Sequence, residues 1–174
     1  MITPDELDGR FGEAWAGEEP NGSHLNIVVA RRGSPTSAAA AAAMADVKPG
    51  HGPFLACLGA GNRARPATIV RNKTTIDSDR LAKLTWGAAQ LGIGQGVADA
   101  VAEGLIAAEH VDDLVLLVAA WIDPAARDHT ALRRANRRAT RDAIADAVTA
   151  SHPDRVGSFV ESRDAATNVF YLGD

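Results

Sequence analysis

The chain has 174 residues, 46 % of them apolar but only 5 % aromatic, and a net charge of −4 at pH 7. That length suits one domain, or a domain with a tail, whose core is filled by alanine and small aliphatic side chains. The acidic balance argues against a dedicated nucleic-acid binder or a basic membrane-surface protein, and the single Cys57 excludes an intramolecular disulfide and a multi-cysteine metal site.

Met1 to Asp8 is polar and acidic and reads as a lead-in or a short cap. Residues 1–10 are therefore set apart from a domain over 11–150, with a tail over 151–174. With no secretion signal visible at the N-terminus, the expected location is cytoplasmic. Phe11 to Gly17 reads as a first short strand, Pro20-Asn21-Gly22 as a turn, and Ser23 to Arg31 as a second strand. In Ser23-His24-Leu25-Asn26-Ile27-Val28-Val29 polar and apolar residues alternate. Leu25, Ile27 and Val29 then face one side and His24 and Asn26 the other. A histidine titrates near neutral pH, which suits proton transfer, so His24 is the first candidate for chemistry.

Ser34 is placed to cap a helix with Pro35 at its first position, and the alanine run Ala38–Ala43 continues it. Lys48 to Pro53 is a loop. Phe54 to Leu58 is short and nearly all apolar, the pattern of a central strand. Gly59 to Asn62 turns the chain, and Ala67 to Ile76 is the next strand, with Lys73 and Thr75 sharing one face by their i, i+2 spacing. Either these two line one cleft with His24 and Asn26, or Lys73 snorkels at a strand end and Thr75 is there for its strand preference.

Asp77-Ser78-Asp79 caps a helix expected from about Asp79 to Glu103. Within it, Gly92-Ile93-Gly94-Gln95-Gly96 lacks the G-x-G-x-x-G spacing and no strand leads into it, so these glycines point to close packing of a neighbour or else to a ligand. Gln90 just before them is free to point into a pocket. Leu114 to Ile122 is the last strand and the longest apolar run, about half of what a bilayer-crossing helix needs. Asp123-Pro124 leads into a final helix ending near Ala150. Its Arg133, Arg134, Arg137, Arg138 and Arg141 form a basic stripe: a solvated face, salt bridges to an adjacent subunit, or a contact for an anionic part of a ligand. The five histidines are scattered without i, i+4 ligand spacing, so no metal site is expected.

Paired strands alternating with helices give an α+β fold with a mixed sheet and helices packed on one face.

Six runs occur in order: GEAWAGEEPNGSHLNIVVARRGSP, GHGPFLACL, PATIVRNKTTI, WGAAQLGIGQGVADAVAEGLI, DDLVLLVAAWI and NRRATRDAIADAV. Together they resemble the formaldehyde-activating enzyme family, from about Phe11 to Ala150. The resemblance implies a fold like the second domain of ribosomal protein S5 and a homopentamer with a pterin bound between subunits. It implies a hydro-lyase that condenses formaldehyde with tetrahydromethanopterin, releasing water. No permanently bound cofactor follows from it; the reduced pterin is a co-substrate.

By motif, His24 matches the family's catalytic histidine, the proton donor. Leu55, Lys73, Thr75 and Gln90 match positions that contact the pterin, and Asn26 falls where the family has an aspartate. That exchange keeps a hydrogen-bonding group but removes a charge that would favour a protonated imidazole. Trp86-Gly87-Ala88-Ala89-Gln90 stands where the family has F-G-P-A-Q. These departures leave open a paralogue that acts on tetrahydrofolate or another amine, or a non-catalytic protein that binds formaldehyde or a pterin.

Overall fold

The computed structural model describes residues 2–149 and 153–165; the rest of the expected tail lies outside the described residues. Thr3 caps a short helix, α1 (Pro4–Leu7), by accepting from the Glu6 backbone N–H, and Leu7 is buried in the main core. Strands β1 (Arg10–Ala16) and β2 (Ser23–Arg31) then pair antiparallel. Ser34 accepts from the Ser37 N–H at 3.1 Å and starts α2 (Pro35–Ala45), with Pro35 at its first turn as expected. The short strands β3 (Phe54–Leu55), β4 (Cys57–Gly59) and β5 (Asn62–Arg63) precede β6 (Ala67–Asn72). Ser78 caps α3 (Asp79–Lys83), a π-helical stretch over Leu84–Ala89 follows, and α4 (Gln90–Ala102) completes that arm. The chain ends its core with β7 (Leu114–Ile122) and α5 (His129–Thr149); α6 (Pro153–Glu161) forms within the expected tail.

Five strands form one sheet in the order β1-β2-β7-β6-β3. β6 and β7 run parallel and the other neighbours antiparallel, so the sheet is mixed and the class is α+β. β2 buries Leu25, Ile27 and Val29, and β7 buries Leu114, Leu116, Val118, Ala120 and Ile122. These side chains meet α4 and α5, and each fully buried leucine or isoleucine stabilises the fold by about 1.5–3 kcal/mol. α4 and α5 themselves lie close. A Cβ at Gly92 or Gly96 would overlap the carbonyl oxygens of Arg133 and Arg137 on α5, so of the two readings of these glycines close packing is the one seen at these positions. At the far end of the other sheet face Ala30 is buried, and so is Ala40 of the adjacent α2, both outside the main core.

Three expected elements differ. Phe54–Leu58 is not a central strand: its paired part stops at Leu55, it forms the sheet edge, and Cys57 onward turns into a separate two-stranded ribbon. The strand expected over Ala67–Ile76 ends at Asn72. Asn72 is buried and its amide donates to the carbonyls of Gly50 and Thr74, which fixes a turn rather than a continued ladder. The helix expected from Asp79 to Glu103 is interrupted by its π-helical stretch.

Candidate active site

His24 and Asn26 of β2 stand on the sheet face that α4 and α5 leave uncovered. Register places Trp15, His24 and Trp121 in one row across β1, β2 and β7. Glu13, Asn26, Ala119 and Arg71 form the next row, which reaches β6. The His24 ring stacks on Trp15 with centroids 4.2 Å apart and planes 9° apart, and Trp15 leans on Trp121 at 5.6 Å. Glu13 Oε1 lies 2.9 Å from His24 Nε2. Glu13 was not among the residues singled out from the sequence, because only the β1–β2 register sets it opposite Asn26.

Lys73 follows β6 directly. Its backbone N–H donates to the Ala120 carbonyl at 2.7 Å, and the neighbouring Thr74 hydroxyl donates to the carbonyl of Ile122 and accepts from its N–H. So anchored, the Lys73 side chain crosses β7 and brings Nζ to 3.1 Å from His24 Nδ1 and into a hydrogen bond with Asn26 Oδ1. Ala119 is the β7 partner of Asn26, and its small side chain leaves that path open. An ammonium only donates, so Nδ1 accepts from it and the ring proton sits on Nε2, donated to Glu13. Burial pushes the Lys73 amine below the usual lysine range, and the Glu13 carboxylate opposes that shift.

Thr75, Leu55 and Gln90 lie elsewhere. Thr75 is not on a strand face with Lys73; its hydroxyl meets His51 Nε2 at 3.0 Å, while His51 Nδ1 meets the Asn72 carbonyl at 3.0 Å. Leu55, on the edge strand, is 40 % exposed and pairs in register with Ile69. Gln90, at the start of α4, lines a cleft with Cys57, Leu58, Trp86 and Leu91, and Trp86 is 51 % exposed beside it. The π-helical stretch carries Trp86 into that position, a common setting for such segments. None of His24, Asn26, Lys73 or Thr75 lines this cleft.

The arginine stripe braces α5 to α4. Arg137 bonds Asp99 at 2.5 and 2.7 Å, Arg141 meets Glu103 at 2.8 Å, and Arg133 donates to Gln95 at 2.7 Å. Among the described residues no group of three His, Cys, Asp or Glu side chains is placed to hold a metal ion, and no helix is long and apolar enough to cross a membrane.

Fold and site together define a small α+β protein that sets an imidazole, an amine and a carboxylate against one another on the open face of a mixed sheet. The chain belongs to the formaldehyde-activating enzyme family, whose sequence profile matches residues 11–171. The 5,6,7,8-tetrahydromethanopterin hydro-lyase of Methanosarcina barkeri is 34 % identical over 142 residues, 82 % of this chain and 80 % of that protein. The bifunctional enzyme Fae/Hps of Methanothrix thermoacetophila is 35 % identical over 133 residues, covering 76 % of this chain and 34 % of the relative. Its counterpart in Methanosphaera stadtmanae is 36 % identical over 134 residues, covering 77 % and 33 %. The chain thus spans about a third of the length of these bifunctional relatives.

Proposed function

We propose that this protein is a hydro-lyase that condenses formaldehyde with a reduced pterin of the tetrahydromethanopterin type, with His24 as general acid. The observation that carries this reading is the held imidazole: His24 is fixed by Glu13 at one nitrogen and Lys73 at the other, in a chain of this family. An amine adds to formaldehyde and gives a carbinolamine. Hydroxide is a poor leaving group, so the step needs a proton on the departing oxygen, and a positioned imidazolium contributes about 10²–10⁴-fold. Loss of water leaves an iminium, which the second pterin nitrogen closes to the methylene product. Formaldehyde is too small to be oriented by contacts alone, so the pterin and the groups around it supply the positioning.

In this reading Asn26, Lys73, Thr75, Leu55 and Gln90 contact the pterin. The Gln90 cleft is separate from the His24 cluster within one chain, which supports a homo-oligomer, a pentamer by family likeness, with the pterin held between subunits. The catalytic domain spans 11–150, flanked by a lead-in and a tail, and works in the cytoplasm with no permanently bound cofactor. Trp86 beside Gln90 favours testing tetrahydrofolate and other amines as well.

The test follows free formaldehyde on mixing with tetrahydromethanopterin, and with a panel of reduced pterins, against the spontaneous rate. Acceleration is expected, with a loss of about 10²–10⁴-fold in His24→Ala. No acceleration with any reduced pterin, or full activity in His24→Ala, overturns the reading. Calorimetric binding of a pterin without turnover would leave a carrier or sensor instead.

A further inference from the structure

We propose that Glu13, His24 and Lys73 form a relay in which Lys73 is the nucleophile that first captures formaldehyde as a covalent iminium. This rests on the condensation reading above and adds a carrier to it. The geometry is that of an activated nucleophile: a carboxylate orients an imidazole, and the imidazole's other nitrogen receives a proton from the attacking group. Here the carboxylate is Glu13 at 2.9 Å from Nε2, and the attacking group is the Lys73 amine at 3.1 Å from Nδ1. Lysine amines form Schiff bases with carbonyl compounds once they are deprotonated. Burial of the Lys73 amine favours that neutral form. Asn26 holds the same amine with a neutral oxygen, so it aims Nζ without adding a charge that would keep it protonated.

The steps balance. The Lys73 ammonium gives one proton to His24 Nδ1, leaving a neutral amine and an imidazolium. The amine lone pair forms a C–N bond to formaldehyde, and a proton moves from nitrogen to oxygen to give the carbinolamine. His24 returns its proton to the hydroxyl, the C–O bond breaks, and water leaves with the lysine carried as a methylene iminium. One pterin nitrogen attacks that carbon. The second closes the ring as Lys73 departs, and the two N–H protons of the pterin restore the ammonium. No oxidant or metal enters. Trp15, stacked flat on the ring, faces the imidazolium in the middle of this sequence with its π surface. Glu13 is a positioning residue, acting through the His24 tautomer.

The chain has three lysines, Lys48, Lys73 and Lys83, which makes the proposal easy to test. Lys48 lies 3.5 Å from the Asp46 carboxylate, and Lys83 is exposed on α3. The full chain is treated with limiting formaldehyde and sodium cyanoborohydride, and N-methylation at each lysine is timed by peptide mass mapping. Lys73 is expected to be labelled about tenfold or more faster than Lys48 and Lys83. Glu13→Gln and His24→Ala should each slow Lys73 to the pace of the other two while leaving Lys48 unchanged, a readout that a merely structural role would not move. Condensation should fall by about 100-fold in Lys73→Arg.

Equal labelling of the three lysines in the wild-type protein overturns the proposal, and so does an undiminished condensation rate in Lys73→Arg. If the protein accelerates condensation and Lys73 is not favoured, this proposal alone fails. If Lys73 is favoured and no reduced pterin is consumed, capture stands and the pterin reading fails.

Discussion

The two faces of the five-stranded sheet are made from the same strands and do opposite work. The covered face is aliphatic and dry, with Leu25, Ile27, Val29, Leu116 and Val118 sealed under α4 and α5. The open face, one residue out of step along each strand, carries Glu13, Trp15, His24, Asn26 and Trp121. Alternation along β2 thus divides a single strand: Leu25, Ile27 and Val29 pack the fold, while His24 and Asn26 face the other way, into the proposed site. Stability and reactivity should therefore respond separately to substitutions only one residue apart.

The largest expected effect is on the covered face. Ile27→Ala should cost about 2–5 kcal/mol of stability, read as a lower urea midpoint, because it leaves a cavity under α5. A loss below about 0.5 kcal/mol would mean that this face is not the packed one. On the open face the expected effect moves from stability to rate. Ala119→Leu places a larger side chain in the path of Lys73, so it should lower condensation about tenfold with little change in the urea midpoint. An unchanged rate would show that Lys73 does not need to reach across β7.

The smallest effect lies outside both faces, in the brace between α4 and α5. Arg137→Ala should cost about 0.2–1 kcal/mol, since the pair with Asp99 meets water. Its pH dependence has a definite sign. The Arg137 guanidinium holds the Asp99 carboxyl below the usual carboxylate range in the folded protein, so folded Asp99 binds fewer protons than unfolded Asp99. The stabilisation is present above the unfolded value, near 4, and is lost as pH falls through the folded one. Urea midpoints of wild type and Arg137→Ala should converge in acid; a gap that widens there would contradict the assignment.

Much of this was legible in the sequence, for reasons specific to each element. β2 and β7 run from Ser23 to Arg31 and from Leu114 to Ile122 as expected, because each has a strong apolar pattern bounded by turn-forming residues. Ser34-Pro35 marked its helix start because capping is local chemistry. Lys73 does lie beside His24, but not by the route that the alternation suggested: that pattern continues past Asn72, where the strand ends in a side-chain-bonded turn. That turn sends Thr75 to His51 instead of to His24. Glu13 and Trp15 were out of reach, since the link between β1 and β2 does not reveal which residues stand opposite one another. The edge position of Phe54–Leu55 was hidden for a related reason: a short apolar run looks the same at the middle of a sheet and at its rim.

β7 lies between the strand that carries His24 and the strand that leads to Lys73. It also follows both in the chain, so a ribosome delivers the histidine and the lysine well before the strand that bridges them. Their meeting depends on long-range pairing, the slowest kind of contact to form. Until Leu114–Ile122 inserts, Lys73 is an ordinary lysine with no imidazole to take its proton. The reactive amine thus serves as a report of finished folding: a nascent or truncated chain has no specially primed site for aldehydes, and the completed one does.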